Sequence, residues 1–483
     1  MSAVELLLVV PLAGAALLAL IPFYWLSAWV NVASSLATLL AALRLLVAEP
    51  ASTAYLFVDD FNVYLVVLTG FVGFTTSVFS ASYIRHELDI GRLTPVRLRF
   101  YHSMYQAFLF ALMLALTANN IGVMWVAVEG ATLATVLMVS LYRTSEAIEA
   151  AWKYFILCGV GIALALFGTI LMYLAAQATI GAGLDAMTWS ELMRAAKRFD
   201  PAILNVAFVF LLIGYGTKAG LVPLHAWLPD AHAEGPTPIS AVLSGLLLNV
   251  ALYAVLRFKM ILAANEAALA PGPLMIAMGL LSLLLAGFML YPRRDIKRFF
   301  AYSSIEHMGI VTFAFGIGGP LANFAGLLHM TLHSLTKSAI FFAVGHMAQI
   351  KGTQKIAEIS GLTTSHPWLG WGFVAGVVAI AGLPPLGIFM SEFLVVTSTI
   401  ARAPLLAVPL VFGLAVGFGA LLMVVQRVAF GEPSGPHQPV KGSLLPLYSH
   451  LALVLVAGLW LPAPLVDWFQ AVARLLGAGG TGP

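Results

Sequence analysis

Charge is what this sequence lacks most. Of 483 residues only 9% are charged, while 61% are hydrophobic and the mean hydropathy is +0.97. A soluble domain carries about 25% charged residues, and no stretch here is long or polar enough to form one. The net charge of +3 leaves no nucleic-acid footprint. Cysteine is nearly absent as well. The single Cys158 lies inside an apolar run, which excludes an internal disulfide and any iron–sulfur cysteine pattern. There is no glycine-rich dinucleotide fingerprint and no haem motif, so neither a redox cofactor nor a metal is expected. Strand-like alternation of apolar and polar residues is missing too, which excludes a membrane barrel.

Long apolar runs fill the space left by charge. Stretches of about 20 such residues recur along the chain, the signature of membrane-spanning helices. Fourteen are expected, near 3–22, 26–46, 58–80, 101–118, 120–141, 152–177, 203–224, 237–257, 272–291, 299–317, 321–348, 368–397, 405–427 and 445–462. The fold class is therefore an all-α polytopic membrane protein. The N-terminal run contains Glu5 and lacks a basic region, so it reads as a first span and not a signal peptide. Segments 185–200 and 464–477 read as amphipathic surface helices, and the final GAGGTGP as a loose tail. Of the Lys and Arg residues, fourteen fall on one side and eight on the other, with Lys218 and Lys337 inside spans. The richer side is expected to be cytoplasmic in a cell (inner) membrane, leaving both termini on the other side.

One stretch interrupts the apolar pattern: KAGLVPLHAWLPDAHAEGPTP, residues 218–238. Pro223 lacks a backbone donor and is expected to open the helix. Broken backbone at membrane depth is tolerated only where protein or water satisfies it. The polar cluster after the break, with His225 and His232, then reads as the wall of a wet half-channel. AGLVPL at 219–224 is echoed by AGLPPL at 381–386, five spans later. An odd offset reverses direction, so the echo points either to an inverted repeat or to a chance match of common residues.

Ionisable residues at membrane depth cost about 2.5–3.5 kcal/mol on insertion scales, so each needs a reason. Glu129 lies mid-span, either as packing glue held neutral or as a transport group. Lys218 precedes the break and either snorkels or holds a proton. Glu392 follows the second proline motif, either as a helix N-terminal carboxylate or as a transport group. His329, His333 and Lys337 recur at four-residue spacing and line one helical face. Such stripes mark proton relays, and histidine suits the task. Histidines at that spacing also suit zinc, but no third ligand is evident. Glu306 and His307 lie deep in the tenth span, near Ser303 and Ser304.

These residues resemble a known family. KAGLVPLHAWLPDAHAEGPTPISAVLSG, DIKRFFAYSSIEHMG and GLPPLGIFMSEF are similar to three landmarks of the antiporter-like subunits of respiratory complex I and its relatives. The stretches NNIGVMWVAVEGATLATVLMVSLYRT and EAAWKYFILCGVGIALALFGT look most like the subunit of group 4 membrane-bound nickel–iron hydrogenases, the hydrogenase-4 and formate hydrogenlyase type. The resemblance implies fourteen helices with two inverted five-helix repeats, each with a broken helix. It divides the chain into 1–100, 101–257, 272–430 and 431–483. It also implies proton or sodium translocation driven by redox chemistry in neighbouring subunits, and through them a peripheral redox arm. Glu129 and Lys218 match the family's paired glutamate and broken-helix lysine, and Glu392 its terminal acidic group. His329, His333 and Lys337 occupy the relay stripe. One departure stands out: the eighth helix carries Asn249 and Ser244 where many relatives have a lysine or histidine. Three rivals remain: a complex I subunit, a stand-alone or Mrp-like cation/proton antiporter, and a non-conducting scaffold.

Overall fold

The computed structural model describes residues 2–47, 52–435 and 438–477; the glycine-rich tail expected after residue 477 lies outside them. Helix starts follow the polar residues that bracket the apolar runs. Ser2 and Glu5 form a capping box on α1 (Ala3–Leu20), which a short turn joins to α2 (Tyr24–Arg44). Asp59 and Asn62 form the same reciprocal cap on α3 (Asp60–Asp89). Thr94, Asn120 and Thr144 cap α4 (Pro95–Thr117), α5 (Ile121–Val139) and α6 (Ser145–Ile180). The short α7 (Trp189–Ala195) sits between two 3-10 turns, as the amphipathic pattern at 185–200 anticipates. Asp200, followed by proline, caps α8 (Pro201–Lys218).

After α8 come α9 (Trp227–Glu234), α10 (Thr237–Val242) and α11 (Leu248–Ala263), the last two joined by a π turn over Leu243–Leu247. Next are α12 (Gly272–Leu290), α13 (Ile296–Ile317) and the long α14 (Gly319–Lys351). The small α15 (Leu362–Ser365) leads to α16 (Pro367–Ile380) and α17 (Gly387–Arg402). The chain ends with α18 (Pro404–Ala429), α19 (Leu445–Leu459) and α20 (Ala463–Gly477).

All fourteen expected segments carry helix, but not all of them as a single long apolar helix. Among the described residues eleven helices are long and apolar enough to cross a membrane, or up to twelve if α19 and α20, bent by 82°, are one span. The shortfall has physical causes. Ser303, Ser304, Glu306 and His307 dilute the apolar character of α13. The twelfth expected span is split into α16 and α17, and α19 has only 15 residues.

Burial sorts the helices into a centre and a rim. The Thr237–Ala263 span is 100% buried over its apolar window and α14 94%, against 39% for α1, α2, α6, α12 and α18. The polar residues of α14 thus lie in the protein interior and not against lipid. Small residues allow close approach at the rim. A Cβ on Gly214 of α8 would lie 2.6 Å from the Gly161 carbonyl of α6, and one on Gly309 of α13 2.7 Å from that of Gly279 in α12. At one end of the bundle, Arg257 of α11 makes a bidentate pair with Asp59, at 2.7 and 2.8 Å, among the rings of Phe57, Phe61, Trp189 and Tyr253. The Trp189 indole donates to the Arg257 carbonyl at 3.0 Å, which docks the α7 surface turn on the same clamp.

The two breaks are built alike. Proline is not what ends α8: the helix stops at Lys218, five residues before Pro223. Gly220 has φ of 76° and donates to the Thr217 carbonyl at 3.1 Å, while the Leu221 N–H reaches Gly216 at 2.8 Å. That is a Schellman motif, in which a left-handed glycine closes the last turn. Gly382 (φ 68°) donates to Ala379 at 3.1 Å, and Leu383 to Val378 at 3.3 Å, in the same pattern. The following prolines then keep the helix from resuming. The freed Val222 N–H finds the Ser282 hydroxyl of α12 at 3.0 Å.

Candidate functional site

Because α8 stops at Lys218, its ammonium points into the bundle from the last turn. The side chain is fully buried, 3.3 Å from Glu129 Oε2, and it donates to the Thr132 hydroxyl. Glu129 and Thr132 are one turn apart on α5 and present both acceptors to the lysine. The Tyr154 ring lies 5.9 Å from the ammonium and stacks at 4.4 Å on Trp227. Trp227 donates to the Thr217 carbonyl at 2.9 Å, so α9 is fastened over the end of α8. Glu129 is not sealed in: 20% of its side chain is exposed.

A second cluster occupies α13, α14 and α17. His329 Nε2 and His307 Nδ1 are 2.9 Å apart, and His329 Nδ1 lies 2.9 Å from Ser391 Oγ. Ser391 donates its proton to the Ile388 carbonyl at 2.8 Å, which makes it the acceptor from His329 Nδ1. His329 Nε2 then accepts from His307, and a defined donor direction runs from His307 through His329 to Ser391. His333 is buried with its ring 5.7 Å from that of His307, and neither of its nitrogens has a hydrogen-bond partner among the described residues. Lys337 donates to the Phe300 carbonyl at 3.1 Å, where α13 begins. The Glu306 carboxylate is buried and rests directly on Gly417 of α18, where an added Cβ would force the carboxylate to move.

Glu392 follows Ser391 on α17, and its carboxylate folds back onto Gly382 in the second break. It is partly exposed, whereas His307 and His329 are buried. One ligand atom from each of these three residues lies within 4.8 Å of the others. The grouping is not the His329/His333 pair that the four-residue spacing suggested: His333 is outside it, and His307 and Glu392 are brought to His329 by α13 and the broken helix.

The two clusters are separated by α10 and α11. Ser244, in the π turn, meets Ser304 Oγ at 2.7 Å. Asn249 donates to Ser334 Oγ at 2.7 Å and to the Met330 carbonyl at 3.1 Å. No titratable side chain replaces the lysine or histidine that relatives carry there, but hydroxyls and an amide line the gap. His225 lies half-buried near Tyr302, and His232 is buried, stacked on Phe341 at 4.9 Å. The sequence reading missed Thr132, Ser334 and Ser391. Thr132, one turn from Glu129, and Ser391, next to Glu392, were within reach of it; Ser334 carried no local signal.

Residues 118–417 match the family described as NADH:quinone oxidoreductase/Mrp antiporter, transmembrane. The chain belongs to this family. The matched region contains both breaks and both clusters, and leaves α1–α4, the second half of α18, α19 and α20 outside. A hydrogenase-4 component F homolog of Methylacidiphilum infernorum (isolate V4) is 60% identical over 99% of this chain and 100% of that protein. NADH-quinone oxidoreductase subunit M of Escherichia coli (strain K12) is 30% identical over 66% of this chain and 63% of its own length. Among solved structures, a chain of an archaeal membrane-bound sulfane sulfur reductase superposes with a TM-score of 0.87 at 21% identity, covering 99% of this chain and 98% of that one. A chain of respiratory complex I from Thermus thermophilus gives 0.80 at 23% identity, over 98% and 100%. These two likenesses establish the fold.

Proposed function

We propose that this chain translocates protons across the membrane as the antiporter-like subunit of a redox-driven complex of the hydrogenase-4 type. The carrying observation is the placement of two proton-binding clusters at two matched helix breaks, joined by polar side chains through a fully buried centre. Lys218 and Glu129 form the first station. Thr132 gives the ammonium an alternative partner when it parts from Glu129. Lys337, Glu306, His333, His307 and His329 form the second, ending at Ser391 and Glu392. Within the histidine pair a proton arriving at His307 is passed along the existing donor direction, and the chain resets by tautomer exchange. Ser244, Ser304, Asn249 and Ser334 carry the connection between stations through hydroxyls and hydration.

Glu129 and Glu392 are both partly exposed. A carboxylate facing lipid costs about 2.5–3.5 kcal/mol on insertion scales, which supports a neighbouring membrane subunit against each. Redox energy would reach the chain through those contacts, from a peripheral arm of hydrogenase type. The matched breaks support inverted repeats over 101–257 and 272–430, and the basic loops support a cytoplasmic location for the Arg293–Arg298 side, with both termini opposite in the cell membrane. Purification from native membranes in mild detergent tests the assignment. A nickel-bearing large subunit with iron–sulfur partners is expected to co-purify. A chain that comes away alone, or with a flavin-bearing NADH-oxidising arm, contradicts it.

A further inference from the structure

Glu87 is a carboxylate in an unfavourable place. It lies in the last turn of α3, where the helix dipole disfavours negative charge, and only 1% of it is exposed. Apart from a side-chain hydrogen bond with Tyr142, its compensation is thin. Gln349 of α14 donates to Oε1 at 3.2 Å, and the guanidinium of the exposed Arg92 stands 3.6 Å from Oε2, beyond hydrogen-bond distance. An acid kept at that cost, outside the family-matched region, calls for a role that a neutral residue would not fill.

The surroundings of Glu87 supply one. Tyr83 is one turn earlier on α3, and Gln349 also donates to its carbonyl at 3.0 Å, so one amide holds both residues in register. The Tyr83 hydroxyl is 3.4 Å from that of Tyr142, which is half-buried beside the exposed Arg143, and 3.3 Å from Thr237 Oγ1. Thr237 opens α10, three residues after α9. On α9, His232 is buried with neither ring nitrogen hydrogen-bonded among the described residues. Its ring stacks on Phe341, one turn along α14 from Lys337. An exchangeable group therefore occurs at each step inward: Glu87 at the mouth beside Arg92, then Tyr142 and Tyr83, then Thr237, His232 and Lys337. The line begins on the side that carries Arg92, Arg143 and Arg298.

We propose that Glu87 is the collecting acid of a proton-uptake path that loads Lys337 from this basic side, with Tyr83, Thr237 and His232 as its inner steps. The proposal rests on proton translocation by this chain. The carboxylate takes a proton from solvent beside Arg92, passes it to the tyrosine hydroxyls, and regains its charge, so no electron or second reactant is involved.

The test is proton uptake by the intact complex reconstituted in vesicles, driven by its own redox substrates. Glu87→Gln keeps size and hydrogen bonding but cannot cycle a proton. Its initial uptake rate is expected to fall about a hundredfold, the lower end of the range for losing a positioned acid or base. Glu87→Asp should restore most of the rate, and Tyr83→Phe should fall between. Comparable recovery of subunits from each variant excludes a folding defect. Wild-type pumping with Glu87→Gln unchanged overturns this proposal alone. Equal loss in Glu87→Gln and Glu87→Asp overturns it too, because it indicates a structural role. An absence of pumping by the wild type would refute the reading on which it rests.

Discussion

Glycines do for the carboxylates what a lock does for a key. Glu306 lies against Gly417, and Glu392 against Gly382, in both cases where a methyl group would occupy the carboxylate's own position. Overpacking of this kind costs about 1–3 kcal/mol, and here the displaced group is a carboxylate of the proposed path. Gly417→Ala is therefore expected to leave assembly largely intact and to lower proton flux sharply; flux at the wild-type rate would show that the position of Glu306 is immaterial. Little of this was legible in the sequence. Glu306 and Gly417 are far apart along the chain, and helical periodicity reports which face a residue occupies, not what stands opposite. Glu129, Lys218 and the His329–Lys337 stripe were legible because cost at membrane depth and four-residue spacing are local properties. The nearness of Glu392 to the histidine pair was not, because it depends on how the second break folds α17 back.

The broken helices show the same contrast at the scale of the element. Proline in both motifs marked the breaks, yet the stop itself is set by Gly220 and Gly382 in left-handed conformation. At Gly220 there is room for a methyl group, the nearest atom being 3.4 Å away. Gly220→Ala should therefore cost only the backbone penalty, about 1–2 kcal/mol. Gly382→Ala meets the same penalty and also the Glu392 carboxylate. A thermal-unfolding series in detergent should show the smaller shift for Gly220→Ala, with translocation lost chiefly in Gly382→Ala. Equal effects in both would mean that the Glu392 contact contributes nothing. The expected fourteen spans are not matched one for one by long apolar helices, for reasons at this same scale. The interior helix α13 is too polar to register as a span precisely where it carries Glu306 and His307, and the split that forms the second break leaves two short pieces.

The molecule as a whole places its most polar helices at its centre and its most apolar ones at the rim. That inversion of the soluble pattern follows from the bilayer: apolar faces meet lipid, and costly groups are kept for an interior path. Glu129 and Glu392 are partly exposed, which gives the chain a reason to stand between neighbours in an assembly. The fold class and the family were legible from composition and from three landmark stretches. The clamp of Arg257 on Asp59 was not, since it joins residues 198 apart. The central claim is that a proton resides on Lys218 during turnover. Proton flux in vesicles holding the intact complex, with and without Lys218→Ala, tests it most directly. The account predicts that redox turnover in the variant no longer acidifies or alkalinises the lumen while the subunits still assemble; full proton flux in Lys218→Ala would contradict it.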